Sequence, residues 1–323
     1  MSIFRIDLEK YLKLRQGDLT PESFSATKSI LFGFDRFLEE KELQEKSISE
    51  KLVTEWIAAT RLTHAPKTTS DRVSYLRGFL RFLRYEGYEV FLPHCPKTPD
   101  KYIPYIFSDS EVKTIFVAAD NLRAKYRNKE NPYIRLEFSM LLRLLYGCGL
   151  RLGEALSLRM ENVNLHRGTL YLRETKNNKQ RIVPMEQSLA DMLQKYCCAM
   201  KLTDRPEAFL FPGNNPEFPM SGGTARHLFH KILIETGIYI QPKPHTRGQC
   251  LHCFRHLFAI KSFAQAERLG YSTDDSVPYL SVYLGHRDLD ETEKYLKFSS
   301  DIFPEHTDIF ENYVADVFSE VSL

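Results

Sequence analysis

Five side chains in the second half of the chain are of types that, if brought together, would suit the breaking and remaking of a phosphodiester: Arg151, His252, Arg255, His286 and Tyr295. Attack on phosphorus builds negative charge on the non-bridging oxygens. Arginine clamps that charge well, because its planar fork donates two parallel hydrogen bonds and keeps its proton. Histidine gives or takes a proton near neutrality. A phenol of pKa about 10 is ionised to only about one part in a thousand at pH 7, so a tyrosine nucleophile needs cations beside it to favour the phenolate. Singly, none of these residues means much. An arginine at a helix start is usually solvated, and Tyr295 is one of 17 tyrosines. The order and spacing carry the meaning: His252 and Arg255 lie three apart, on one face of a helix, and Tyr295 follows His286 by nine residues.

The segments around these residues resemble the tyrosine recombinase (phage integrase) family. Cys148-Gly149-Leu150-Arg151-Leu152-Gly153-Glu154-Ala155-Leu156-Ser157-Leu158 is similar to its first arginine box, and His252-Cys253-Phe254-Arg255-His256 to its His-x-x-Arg box. Leu284-Gly285-His286 through Tyr295 resembles the terminal box. A polar turn carrying Lys176, followed by Arg181-Ile182-Val183-Pro184, resembles the family's lysine-bearing β-turn. The likeness runs from about residue 108 to 298, in the expected order. It implies that Arg151 and Arg255 bind a scissile phosphate, that His252 and His286 donate to it, and that His252 also accepts the tyrosine proton. It implies further that Tyr295 forms a 3′-phosphotyrosine link; Glu154, one turn after Arg151, is expected to orient that arginine and other active-site groups. Lys176 is the expected donor of a proton to the departing 5′ oxygen. No metal or other cofactor is implied. The glycines that often flank the family's lysine are Thr175 and Asn177 here, and the step from Arg255 to His286 is longer than usual, with 271–276 read as an extra loop within an insertion at 265–280.

Other readings compete at several positions. Lys179 shares the turn with Lys176; His256 reads as a structural histidine; Tyr279 and Tyr283 read as core or interface aromatics at helical spacing. Cys250 and Cys253 form a C-x-x-C near His245 and His256, which superficially suggests zinc. There is no second cysteine pair, and this segment is already committed to presenting His252 and Arg255, so a metal site is not expected.

Elements that could position these residues follow from periodicity. Thr20-Pro21-Glu22 caps a helix that carries Ile30, Leu31, Phe34, Phe37 and Leu38 on one side, and a second helix from Ser49 to Leu62 carries Leu52, Val53, Trp56 and Ile57 on one face. A third, from about Pro66 to Glu86, buries Val73, Leu76, Phe79, Leu80 and Leu83 and carries Lys67, Arg72, Arg77, Arg81 and Arg84, with Gly87 as its stop. Four prolines between 93 and 104 end the helical region as a semi-rigid spacer. Beyond it come a helix capped at Ser108, an apolar helix from Pro132 to about Tyr146, a helix near Arg151, strands Thr169–Arg173 and Arg181–Pro184, and further helices. The expected fold is mainly α with one small antiparallel β-sheet, as a two-domain DNA clamp. Its parts are a helical core-binding domain at 1–92, a linker at 93–104, a catalytic domain at 105–302 and an acidic amphipathic helix at 303–323.

Composition is compatible with this. The 43% hydrophobic and 27% charged fractions are those of an ordinary globular chain, and the apolar run Ser139–Leu150 is broken by Arg143, so no membrane span is expected. The N-terminus reads as neither a signal nor a transit peptide. Six irregularly spaced cysteines read as reduced thiols of a cytoplasmic protein. The net charge of +2 hides an asymmetry: from Asp288 onward ten acidic and two basic residues make a tail of −8, leaving a body of +10. A basic body suits a nucleic-acid partner, since releasing counterions from phosphates drives association. Double-stranded DNA is the expected partner, contacted by Arg72, Arg77, Arg81, Arg84 and Arg181 and by the 66–86, 123–135 and 167–181 segments. A homo-tetramer on paired sites, joined through the C-terminal helix in trans, is the expected assembly. The alternatives are a catalytically silent DNA-binding accessory protein and a topoisomerase-like strand swivel.

Overall fold

The computed structural model describes residues 2–97, 104–122, 133–173, 180–213, 215–243, 248–286, 288–293 and 295. The chain divides into two compact units, Met1–Tyr102 and Ile103–Leu323.

The first unit holds four helices: α1 (Arg5–Arg15), α2 (Pro21–Glu40), α3 (Glu50–Thr63) and α4 (Pro66–Tyr85). Thr20 Oγ1 accepts the Ser23 N–H at 3.3 Å, and Ser49 Oγ accepts the Leu52 N–H at 3.4 Å, so α2 and α3 each start from a hydroxyl cap. Pro66 opens α4, where its missing N–H costs nothing. Three- and four-residue spacing then buries Leu31, Phe34 and Leu38 of α2 against Val53 and Trp56 of α3 and Val73, Leu76, Phe79, Leu80 and Leu83 of α4. Each such side chain contributes on the order of 1.5–3 kcal/mol. Gly87 ends α4 at φ +92°, and a parallel bridge between Ile48 and Val90 ties the loop after α2 to the chain that leaves α4.

The second unit contains α5 (Asp109–Asp120), α6 (Ile134–Cys148), α7 (Leu152–Ser157), α8 (Gln187–Ala199), α9 (Gly222–Glu235), α10 (His252–Arg268) and α11 (Thr273–Leu284). A short antiparallel sheet accompanies them, in order β1 (Val163–Asn164), β2 (Thr169–Leu172), β3 (Arg181–Pro184). The two-residue β1 is too short to carry a periodicity that the sequence could show. Ser108 and Glu111 form a reciprocal capping box at α5. The middle of α6 is buried all round, from Glu137 to Tyr146, with Arg143 held bidentately by Asp120 at 2.9 and 2.7 Å. Helix α10 packs on it through Phe254, whose ring meets Phe107, Phe116, Tyr146 and Phe229 at 5.5–6.3 Å. Lys261, on the same helix, donates to Asp109 and to Tyr146 Oη, pinning α10 to α5 and α6.

One expectation is corrected here. Residues 271–276 do not form a loop: Ser272 Oγ accepts the Asp275 N–H at 3.1 Å and starts α11. The expected insertion is therefore helix end, short turn and helix start. Of the two tyrosines read as core or interface aromatics, Tyr283 stacks on Phe258 at 5.3 Å, and Tyr279 is 80% exposed, which excludes the core and leaves the interface reading. The Lys176 turn, His245, residues 123–132 and the 303–323 helix lie outside the described residues. Among the described residues no helix is long and apolar enough to cross a membrane.

Candidate active site

The carboxyl end of α11 organises the site. Gly285, at φ +65°, ends the helix: its N–H bonds to Val282 O at 3.1 Å and the His286 N–H reaches back to Ser281 O at 3.0 Å. That closing pattern leaves the carbonyls of Tyr283, Leu284 and Gly285 as acceptors at the negative end of the helix dipole. Three arginines take them. Arg181 Nε donates to Tyr283 O at 2.8 Å, Arg255 Nη2 to Leu284 O at 2.6 Å, and Arg151 Nη1 to both Leu284 O and Gly285 O at 3.4 Å. Arg151 and Arg255, 104 positions apart in sequence, thus share one acceptor. A side chain at Gly285 would place its Cβ 2.7 Å from Arg181 Nη1, so both backbone and space require glycine there.

Each arginine reaches this point from a different element. Arg151 precedes the first turn of α7, and its backbone N–H bonds to Glu154 Oε2 at 2.9 Å while its Nη1 meets Oε1 at 3.0 Å. Arg255 leaves the first turn of α10 and spends its other nitrogen on Gly149 O at 2.7 Å, where α6 ends in a left-handed glycine at φ +59°. Arg181 stands on β3 opposite Leu172, on the inward face it shares with buried Val183. From there it grips both oxygens of Glu154, at 3.0 and 2.9 Å. Arg181 therefore does not face outward toward a duplex, contrary to expectation. The strand period of two turns it inward and leaves Ile182 outside, 64% exposed.

Glu154 is almost fully buried and accepts four hydrogen bonds from two arginines. Burial works against its charge, but the bonds and charge of Arg181, the Arg151 N–H and the Arg255 charge prevail and hold its pKa below the usual carboxylate value. Arg255 is 1% exposed, and burial, with the Arg151 charge beside it, lowers its pKa to about 10, so it remains a cation at neutral pH.

Tyr295 and His286 lie against this cluster. The Tyr295 ring stacks on His286 at 5.9 Å and 22° and meets His256 at 5.4 Å, and His256 in turn meets His252 at 4.7 Å. His256, expected from sequence to be structural, is thus the ring neighbour of the candidate nucleophile, because position 256 follows His252 by four on α10. His286 Nδ1 is 2.6 Å from the hydroxyl of buried Thr292. Burial and the charges of Arg255, Arg151 and Arg181 push the His286 pKa down to about 3. At that value it is a neutral imidazole at neutral pH. Burial raises the Tyr295 pKa, and the Arg255 and Arg151 guanidiniums oppose that rise without cancelling it.

A site with three converged guanidiniums, two imidazoles and a phenol has what a phosphodiester exchange requires. The phage integrase family pattern matches residues 107–300, more than half of the chain. The chain belongs to the phage integrase family. It is a site-specific tyrosine recombinase, an enzyme that cleaves and rejoins DNA. The recombinase is 28% identical over 316 residues to a Sinorhizobium fredii protein provisionally named integrase/recombinase y4rB, covering 94% of this chain and 96% of that one. It is 30% identical over 242 residues to the tyrosine recombinase XerD of Pseudomonas putida, covering 72% and 71%. Among solved structures it shares its fold with the XerH site-specific recombinase bound to palindromic difH substrate in a post-cleavage complex, at a TM-score of 0.65 and 17% identity, over 92% of this chain and 84% of that one.

The recombinase's remaining sequence-derived candidates sit in the first unit, on α4. Arg81 and Arg84 are exposed, and Arg84 Nη2 also donates to Val90 O at 3.0 Å. Arg77 donates to Pro93 O. Arg72 is half-buried, 5.9 Å from the Trp56 ring, and burial lowers its pKa. The positions do not form one outward row: 72 and 77 are five apart and so diverge around the helix.

Proposed function

We propose that the recombinase cuts one strand of a double-stranded DNA site by attack of the Tyr295 hydroxyl oxygen on a phosphate held by Arg151 and Arg255. The convergence of both guanidiniums on Leu284 O carries this reading, because phosphate oxygens are acceptors of the same kind. The arginines stabilise charge that grows on the non-bridging oxygens. Glu154 and Arg181 position Arg151. His252 accepts the phenol proton and neutral His286 donates to the phosphate. Lys176 protonates the departing 5′ oxygen, leaving the 3′ phosphate on Tyr295. The phosphotyrosine link conserves the energy of the broken bond, so attack by a free 5′ hydroxyl reseals it without a nucleotide or metal cofactor.

Exposed Arg81 and Arg84 of α4 meet backbone phosphates of the duplex. Four copies act on two sites in the cytoplasm. The 303–323 segment, with Ile309, Phe310, Tyr313, Val314, Val317 and Phe318 at helical spacing, docks on a neighbouring copy. An apolar groove of about 630 Å³ between α10 and α11, lined by Phe258, Phe263, Ala266, Leu280 and Tyr283, suits such a helix.

A nicked suicide substrate tests the chemistry. Wild-type protein traps a covalent adduct, and Tyr295→Phe binds the same DNA without trapping. An adduct with the Phe variant would mean that another residue is the nucleophile. Deleting 303–323 abolishes DNA-bound oligomers while leaving single-site binding; unchanged assembly rules out docking in trans.

A further inference from the structure

Cys250 and Cys253 flank His252 at the start of α10, and the proposed chemistry uses neither. Their sulfurs are 3.8 Å apart, and neither is part of a disulfide. The Cys250 N–H donates to Cys253 Sγ at 3.4 Å, and the Cys253 N–H donates to Cys250 O at 2.9 Å, so the backbone between them forms one tight turn that leads into the helix. The two cysteines differ in access. Cys253 is fully buried in the core, while Cys250 is partly exposed. The other four cysteines show no such sulfur–sulfur contact among the described residues: Cys95 and Cys198 are exposed, Cys148 is buried at the end of α6, and buried Cys197 turns its sulfur to Met160 Sδ at 3.6 Å.

We propose that Cys250 and Cys253 are a redox-active dithiol that takes a low-molecular-weight disulfide as its oxidant. The accessible Cys250 thiolate attacks one sulfur of the disulfide, forming a mixed disulfide and releasing one thiolate. Cys253 then loses its proton and attacks Cys250 Sγ, forming the Cys250–Cys253 bond and expelling the second thiolate. Two protons leave the protein with the two released thiols, and the two-electron oxidation of the dithiol is matched by reduction of the added disulfide. The asymmetry of access sets the order, with the outer sulfur reacting first and the buried one resolving. Closure must bring the sulfurs from 3.8 Å to a bond of about 2.05 Å. That contraction falls on the turn that presents His252 and, one turn later, Arg255, so oxidation displaces both from the phosphate position. This consequence rests on the roles proposed above for His252 and Arg255; formation of the disulfide does not.

The experiment uses the full chain carrying Cys95→Ser and Cys198→Ser, reduced and then equilibrated with oxidised glutathione. Intact-mass and peptide analysis should find a Cys250–Cys253 bridge with no retained glutathione. Cys253→Ala should stop at the mixed disulfide on Cys250, and Cys250→Ser should remain unmodified. Adduct trapping on the nicked substrate should fall about tenfold or more on oxidation, as displacement of positioned groups by about an ångström costs. Dithiothreitol should restore it, and Cys250→Ser should be indifferent to glutathione. Absence of the bridge, or thiols held by a stoichiometric zinc ion in the purified protein, overturns the proposal. A bridge that forms without changing trapping overturns its coupling to the site. Failure of the reduced protein to trap DNA points instead to the catalytic reading, since the mass measurement does not depend on it.

Discussion

The arginines of α4 and the arginines around Glu154 show two uses of one side chain. On α4, Arg77 and Arg84 find carbonyls a few residues past the end of their own helix, at Pro93 and Val90, and Arg81 stands in solvent. In the second unit, Arg151 and Arg255 bond to carbonyls 134 and 106 residues away, and both are largely withdrawn from water. Exposed arginines cost little to keep and offer a general attraction to phosphate that salt screens. Buried, converged ones are expensive, because like charges are forced together in a low dielectric. They persist through Glu154 and the carboxyl end of α11, and in return their positions are fixed before any phosphate arrives.

The largest consequence should come from Arg255. Arg255→Lys removes the fork that spans Gly149 O and Leu284 O, and the rate of adduct formation should drop about 10²–10³-fold with DNA affinity nearly kept. A smaller loss in rate than in affinity would erase the contrast with α4. Arg181→Ala should act mainly on stability. It leaves Glu154 buried with half its partners, at a cost of about 3 kcal/mol in chemical denaturation, and trapping should fall as Arg151 loosens.

Acid should separate the two units. The His286 pKa is depressed to about 3 from an ordinary 6.5, so below pH 6.5 the unfolded chain binds a proton that the folded one refuses. Each pH unit down that interval removes at most about 1.4 kcal/mol. Glu154 works in the same direction: its contribution is complete above its ordinary value of 4.5 and is lost as pH falls through its lowered native value. The second unit should therefore unfold first as pH falls. The single tryptophan, Trp56, lies in the first unit, so its fluorescence should change at a lower pH than the far-ultraviolet circular dichroism begins to. Coincident transitions would mean that His286 is not held neutral.

Gly285→Ala should cost about 1–3 kcal/mol from its left-handed backbone alone, and it should reduce trapping by pushing on Arg181. The smallest effect belongs to Arg81→Ala, with a few-fold loss of affinity and a salt dependence shallower by about one unit of slope, uniform across DNA sequences. A sequence-dependent loss would show that α4 reads bases.

Much of the first unit is legible in the sequence because α2, α3 and α4 are long and regularly patterned, with hydroxyl caps on α2 and α3 and a proline opening α4; Val73 through Leu83 are buried where the three-four spacing puts them. Arg181 is not, because the tetrapeptide Arg-Ile-Val-Pro does not declare which face is inward; buried Leu170 and Leu172 on β2 fix that register. Residues 271–276 resemble a loop in their polarity, yet polar residues beginning with serine also describe a capped first helical turn. The place of His256 is hidden because its importance lies in a ring contact with Tyr295, and contacts between distant segments leave no local pattern.

By itself the sequence determined which side chains were available, in what order, and which stretches could be helix, since these depend on residue type and on spacing within a few positions. Tertiary structure decided that the carboxyl end of α11 would gather three arginines, that Glu154 would be charged and buried among them, and that His286 would be neutral. Those outcomes depend on distance and dielectric between groups up to 134 positions apart, which exist only once the chain has packed.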